Sequence, residues 1–213
     1  YIPPISNTNS IWRLIEPYIP EQILEKFCKP GNIVMDIGAN IGEWTIHMAN
    51  MVGELGYVYS FEPLPIVNHA LKKTTSINNL SQVFISEYAL SNQIGESNLI
   101  IPYDSKNTII SGESRLEMSD EPWNKKTDVA STKSIQVKTT TMDNFVSQKN
   151  LKRLHFVKID VEGNEHLVLE GGQDTFRNYK PKLILEAGCE KKEDRKKISS
   201  LLQSWTYEII GII

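Results

Sequence analysis

The chain has 213 residues, 40% of them apolar, with 23 Lys+Arg against 26 Asp+Glu, the size of one domain carrying an insertion. A formal charge of −3 excludes a broadly basic surface, and with it nucleic-acid binding by charge. Cys28 and Cys189, the only two cysteines, exclude a disulfide scaffold.

Residues 1–30 read as an N-terminal arm and helices: a Pro- and Asn-rich stretch (YIPPISNTNS), then apolar positions broken by Pro17 and Pro20, with a helix starting near Glu21. Pro30-Gly31 is a turn. Residues 31–213 read as one α/β domain. Ile33–Ile37 (IVMDI) is a short apolar run ending in glycines, a buried strand. Gly42–Met51 predicts a helix, Tyr57–Phe61 a strand, Ile66–Ile77 a helix and Val83–Ile85 a strand. Alternation of this kind with short links marks a mostly parallel sheet with helices on both faces.

The pattern changes around residues 95–138. Short β-prone pieces (Ser97–Ile101, Thr108–Ser111, Ile135–Thr140) flank a polar segment near Gly112–Ser134. This reads as a β-hairpin and loop insertion, of the kind that often serves as a lid or binding loop. Then Thr141–Gln148 predicts a helix, Leu154–Val161 a strand, Asn164–Glu170 a helix, Leu183–Glu186 a strand, Lys191–Trp205 a helix and Tyr207–Ile213 a last strand.

Asp36-Ile37-Gly38-Ala39-Asn40-Ile41-Gly42 lies between a predicted strand and a predicted helix, where a ligand loop needs close backbone approach and N–H groups. The spacing departs from the dinucleotide fingerprint and lacks the Gly-Lys-Ser/Thr of a phosphate loop. Asp36 would repel pyrophosphate and suits a cationic group such as an ammonium; otherwise it caps the turn. Twenty residues past Gly42, Phe61-Glu62-Pro63 ends the next strand. An acidic residue there accepts both hydrogen bonds of a ribose diol, or simply sits favourably at a helix N-terminus. Ala89-Leu90 after the third strand leaves room for a flat base, or belongs to an ordinary loop.

These segments, followed by Thr141-Met142-Asp143, by Lys158-Ile159-Asp160-Val161-Glu162-Gly163-Asn164-Glu165 and by Ile184-Leu185-Glu186, resemble the FkbM family of S-adenosylmethionine-dependent methyltransferases, over roughly residues 31–190. The resemblance implies a Rossmann-like sheet of order 3-2-1-4-5 plus a C-terminal strand. It implies S-adenosyl-L-methionine as methyl donor, held by Asp36, Gly38, Ala39, Asn40, Gly42, Glu62, Pro63, Ala89 and Leu90. It also implies O-methylation of a sugar or natural-product hydroxyl, a small-molecule acceptor. The alternatives are a non-catalytic Rossmann-like interaction domain and an NAD-dependent oxidoreductase. The resemblance further implies an acceptor-side lid over 95–138. Under that resemblance, Tyr103, Trp123 and Trp44 are candidate apolar walls for an acceptor, and Ser111, Arg115 and Asn124 candidate hydrogen-bonding groups; a plain loop with a buried anchor is the alternative.

That strand order brings Asp36, Glu62, Asp160 and Glu186 to one sheet edge, where four carboxylates are unfavourable unless cations or ligands engage them. Period-two alternation puts Lys158 and Asp160 on one face, so Lys158 is expected to reach Asp160, Asp36 or Glu186. An alcohol acceptor must lose a proton, so a nearby base helps. Asp160 is the first candidate base or hydroxyl orienter, followed by Glu162, Glu165 and Glu186, with Lys158 supporting. Mg²⁺ on Asp160, Glu162 and Glu186 is a minority alternative, and nothing here suits zinc. His166 reads as a solvated helix histidine.

No run approaches the ~20 apolar residues of a membrane helix, and a secretory signal is lacking, so the expected setting is cytoplasmic without a membrane partner. A single strand after the last helix would leave Ile209, Ile210, Ile212 and Ile213 as an open apolar edge. That points to a homodimer, or to a parent multidomain chain of which this is a piece.

Overall fold

In the computed structural model, which describes residues 21–117, 128–186 and 192–210, the first element is α1 (Glu21–Phe27). After the Pro30-Gly31 turn come β1 (Ile33–Ile37), α2 (Glu43–Val52), β2 (Tyr57–Phe61), α3 (Pro65–Ile77) and β3 (Val83–Ser86). Pro65 opens α3 at a position where its missing N–H would have no helical partner. A two-residue strand β4 (Ala89–Leu90) leads to the long β5 (Gly95–Tyr103), a 3₁₀ turn at Ser111–Glu113, β6 (Arg115–Leu116) and β7 (Ser131–Thr140). The chain continues through α4 (Met142–Gln148), β8 (Phe156–Ile159), α5 (Glu165–Glu170), α6 (Gln173–Tyr179), β9 (Lys182–Leu185) and α7 (Lys192–Ser204).

Two sheets result. The larger is all parallel, ordered β3-β2-β1-β8-β9, which is the predicted 3-2-1-4-5. Its central strands are buried on both faces: only Ile33 is not fully buried in β1, and all of β8 is buried. That is why their sequences read as unbroken apolar runs rather than alternations. Met35, Ile37, Val157 and Ile159 join Val168, Leu169 and Phe176 in the main core. On the opposite face of the sheet, Val34, Val58 and Phe156 pack with α1 and α2, and the half-buried Trp44 lies against that cluster.

The insertion, together with β4 before it, forms the second sheet, ordered β4-β7-β5-β6. β5 and β7 pair antiparallel from Gly95↔Thr139 to Tyr103↔Ser131, so the predicted hairpin is present and longer than expected. The predicted strand at Thr108–Ser111 is reduced to a single bridge, Tyr103↔Ile109. Asp104 Oδ1 accepts from the amides of Lys106 and Thr108 at 2.9 and 2.8 Å, and this local turn removes donors a strand would use. Trp123 and Asn124 lie outside the described residues.

Two further predictions are corrected. A helix, α6, follows Gly171-Gly172 where none is expected. Its cap is remote: Asp143, at the start of α4, accepts from the amides of Asp174 and Thr175 at 3.1 and 2.8 Å. The predicted last strand is absent over its described part, Tyr207–Ile210. The Tyr207 amide donates to Leu202 O at 2.9 Å and its hydroxyl to Pro181 O at 2.9 Å, so this segment folds back on α7 instead of entering the sheet. Residues 211–213 are outside the described residues. No helix among those described is long and apolar enough to cross a membrane.

Candidate active site

The carboxyl ends of β1, β2, β8 and β9 carry Asp36, Glu62, Asp160 and Glu186, as the topology requires. In doubly wound sheets the crevice beside such a switch point, here between β1 and β8, is where ligands bind.

Asp36 is fully buried. Its Oδ2 accepts from Thr45 Oγ1 at 2.6 Å, and that hydroxyl also meets Ser60 Oγ at 2.8 Å. Lys158 Nζ lies 3.6 Å from its other oxygen. The ammonium beside Asp36 in this structure is the chain's own, that of Lys158, and Asp36 lies buried beneath the crevice. Burial raises its pKa above the usual carboxylate value, with Lys158 and Thr45 opposing that rise.

Lys158 is 4% exposed and ties three pieces together. Its ammonium donates to Gly38 O at 2.9 Å and pairs with Asp160 at 3.0 Å as well as with Asp36. Burial works against its charge, but Asp160, Asp36 and Glu186 outweigh it and the net pKa is raised. Asp160 is the accessible member, with 32% of its side chain exposed.

In the glycine loop the amides of Gly38 and Ala39 both donate to Phe61 O, at 3.1 and 2.9 Å, and that of Gly42 to Ala39 O. The Asn40 amide donates to Glu62 Oε2 at 2.9 Å. These N–H groups, expected to face a ligand, are thus engaged inside the chain. Gly38 is required for a different reason: a Cβ there would sit 1.8 Å from Asp160 O, because β1 and β8 converge at this point.

Glu62 accepts a second amide, from Leu64, at 2.8 Å, while Asn68 Nδ2 holds its carbonyl at 2.8 Å. Two of about four acceptor sites on the carboxylate are then used, which leaves capacity for a diol. Burial lifts its pKa to about 7 against these amide bonds. Pro63 follows at the half-buried rim. Ala89 and Leu90 form β4 and are 6% and 3% exposed; Ala89 packs under the second sheet, and Leu90 belongs to the main core.

Glu162 and Glu165, adjacent in the sequence argument, separate in the structure. Glu165 is 1% exposed, and its carboxylate accepts from the amides of Val161 (2.9 Å) and Gly163 (3.1 Å). It clamps the loop and is removed from the list of bases. The clamped turn places Glu162 at φ +57°. Burial, then the carboxylates of Asp160, Glu186, Glu165 and Glu113, push Glu162 up to about 9. One oxygen each from Asp160, Glu162 and Glu186 lie within 4.8 Å of one another, a spacing that could hold a hard cation. His166 is 7% exposed, not solvated, because α7 covers α5 and brings Asp194 Oδ1 to 3.7 Å from its Nε2.

The raised pKa values of Glu62 and Glu162 have a consequence for stability. A carboxyl whose pKa is higher folded than unfolded contributes fully below its unfolded value, 4.5, and loses that contribution as pH rises. The urea midpoint, measured in EDTA, is expected to fall from pH 5 to pH 9, and Glu162→Gln to flatten the fall above pH 7. An unchanged slope in that variant would refute the burial of Glu162.

Thr45, Ser60 and Asn68 were not singled out from sequence. The signal was there for two of them: Thr45 is a polar residue on the buried side of α2 and Ser60 interrupts the apolar run of β2.

The family model of the methyltransferase FkbM domain matches residues 36–209. A curated relative, Methyltransferase 1 of Beauveria bassiana (strain ARSEF 2860), is 24% identical over 180 residues, 81% of this chain and 71% of that protein. Among solved structures, methyltransferase FkbM from Methylobacillus flagellatus KT has a TM-score of 0.54 at 15% identity, over 94% of this chain and 50% of its own. The chain thus spans half the length of that protein, and the likeness is one of fold. A SAM dependent methyltransferase from Aquifex aeolicus has a TM-score of 0.48 at 15% identity, over 100% of this chain and 93% of its own.

Proposed function

The chain belongs to the FkbM methyltransferase family, and from that premise we propose that it moves the methyl group of S-adenosylmethionine to a hydroxyl of a small acceptor, a sugar or natural product. The observation that carries this reading is the pairing across one crevice of a Glu62 carboxylate with spare acceptor capacity and an accessible, lysine-held Asp160.

The residues present fit the nucleoside half of the donor. Glu62 at the end of β2 takes the ribose diol, with Pro63 and the glycine loop beside it, while Ala89 and Leu90 set the floor behind. They fit its ammonium less directly, since Asp36 is sealed off. When bound, S-adenosylmethionine supplies a methyl carbon to the acceptor oxygen and leaves as S-adenosylhomocysteine.

The chain contributes orientation and removal of water. Asp160 accepts the hydrogen bond of the acceptor hydroxyl and takes its proton as the new O–C bond forms. Lys158 pairs with Asp160 and ties it to the glycine loop through Gly38 O. Glu162, with its raised pKa, is protonated at rest and donates a hydrogen bond to a second acceptor oxygen. Glu186 completes the rim. A Mg²⁺ bound at Asp160, Glu162 and Glu186 is the second reading, favoured by their spacing alone; turnover that survives EDTA would remove it.

Calorimetric titration with S-adenosylmethionine and S-adenosylhomocysteine, with NAD as control, is the test. Binding of the first two and not of NAD supports the reading; NAD binding would move the chain to the oxidoreductases. Glu62→Gln removes the charge and keeps an acceptor oxygen for only one of the two loop amides, Asn40 or Leu64. It is expected to weaken S-adenosylhomocysteine binding about tenfold, the loss of one charge-assisted hydrogen bond. Unchanged affinity would refute the ribose assignment.

A further inference from the structure

The segment from Ser111 to Leu116 crosses the switch point. At one end Ser111, 8% exposed, donates from Oγ to Asn40 Oδ1 at 3.4 Å. At the other, Asn164 Nδ2 donates to Leu116 O at 3.4 Å, and Asn164 is 1% exposed. Asn40 belongs to the loop after β1 and Asn164 to the loop after β8, so the insertion spans the two loops that border the crevice. The segment is itself held: Ile110 N donates to Pro102 O at 2.9 Å and Glu117 N to Asn98 O at 2.8 Å, both to β5.

The sequence reading makes Ser111 a candidate hydrogen-bonding group for the acceptor, with a plain loop residue as the alternative. The geometry turns it the other way. Asn40 has a left-handed backbone, φ +47°, and its amide is one of the two that hold the Glu62 carboxylate. Ser111, Asn40 and Glu62 therefore form one chain of hydrogen bonds from the second sheet into the donor site.

We propose that Ser111 is a positioning residue for donor binding: its hydroxyl holds Asn40, and through the Asn40 amide holds Glu62, in the arrangement that receives the donor's ribose. The proposal rests on the reading of the β1 and β2 loops as the donor site. It makes the insertion a wall shared by donor and acceptor.

The test is calorimetric titration of the purified chain with S-adenosylhomocysteine, alongside melting temperatures. Ser111→Ala is expected to weaken binding about threefold, with the melting temperature lowered by no more than a few degrees. Ser111→Thr retains the hydroxyl and is expected to restore affinity, which a mere loss of packing would not predict. Asn40→Gly keeps the left-handed backbone and removes the acceptor. It should reproduce the loss, and combining it with Ser111→Ala should add nothing further. Wild-type affinity in Ser111→Ala, or additive losses in the double variant, would overturn the proposal and return Ser111 to the acceptor side. A wild-type chain that does not bind S-adenosylhomocysteine would overturn the donor-site reading itself, and this inference with it.

Discussion

Lys158→Met is expected to destabilise the protein by about 3–5 kcal/mol, the usual effect of removing one partner of a buried ion pair. For a chain of this size that lowers the melting temperature by roughly 10 °C. The reason is Asp36, which has no exposed surface and would keep only Thr45 as a partner. Asp160 can turn to water, since 32% of its side chain is exposed; Asp36 cannot. The variant's stability should also fall with rising pH. Without its cation the folded state holds Asp36 protonated, so stability is complete below its unfolded pKa and is lost as pH rises. Urea unfolding at pH 5 and pH 8 reads both effects. Adding Asp36→Asn removes the stranded charge and is expected to recover much of the loss. A single variant as stable as the wild type at both pH values would show that Lys158 does not neutralise Asp36.

Gly38→Ala is expected to be nearly as damaging and to abolish donor binding. Two effects combine. The backbone at φ +77° disfavours any side chain by about 1–2 kcal/mol. The new Cβ would also lie 1.8 Å from Asp160 O and 2.9 Å from its carbon. That neighbour is main chain and cannot rotate aside, so β1 and β8 must part, and overpacking of this kind costs about 1–3 kcal/mol more. Gly31→Ala provides the control. Its φ is +80°, but nothing lies within 4 Å of the new Cβ, so it is expected to show the backbone effect alone. Equal destabilisation of the two variants, by chemical denaturation, would show that the contact with Asp160 is not what requires glycine at position 38.

The difference between these glycines explains how far the site was legible. A strand, a glycine loop and a helix can be read from Asp36 to Gly42, because turn chemistry and apolar runs are local. Glu62, Asp160 and Glu186 could be placed at one edge because parallel strands all end on the same side. What the loop glycine accommodates could not be read. Sequence argument assigns it to a ligand, and the structure gives that space to a carbonyl 122 positions away.

The same holds for the charged groups. Asp36, Glu62, Glu162 and Glu165 are four similar side chains near one loop system, and composition ranks them only by motif. Burial and backbone partners separate them: Asp36 meets Lys158 from below, Glu62 receives the amides of Asn40 and Leu64, Glu165 clamps Val161 and Gly163, and Glu162 is left among other carboxylates. Each of these assignments depends on where one strand end lies against another.

Sequence by itself determined the alternation of strands and helices, the order of the parallel sheet through its family resemblance, the hairpin of the insertion and the residues at the strand ends. Apart from the sheet order, which the resemblance implies, these follow from periodicity, turn residues and motif spacing, all of which act over a few positions. Tertiary structure decided the rest. It capped α6 with Asp143, drew Tyr207–Ile210 away from the sheet, buried His166 under α7 and turned Ser111 toward Asn40. In each case the deciding bond or packing contact joins residues distant in the chain, and no local pattern specifies which distant group will arrive.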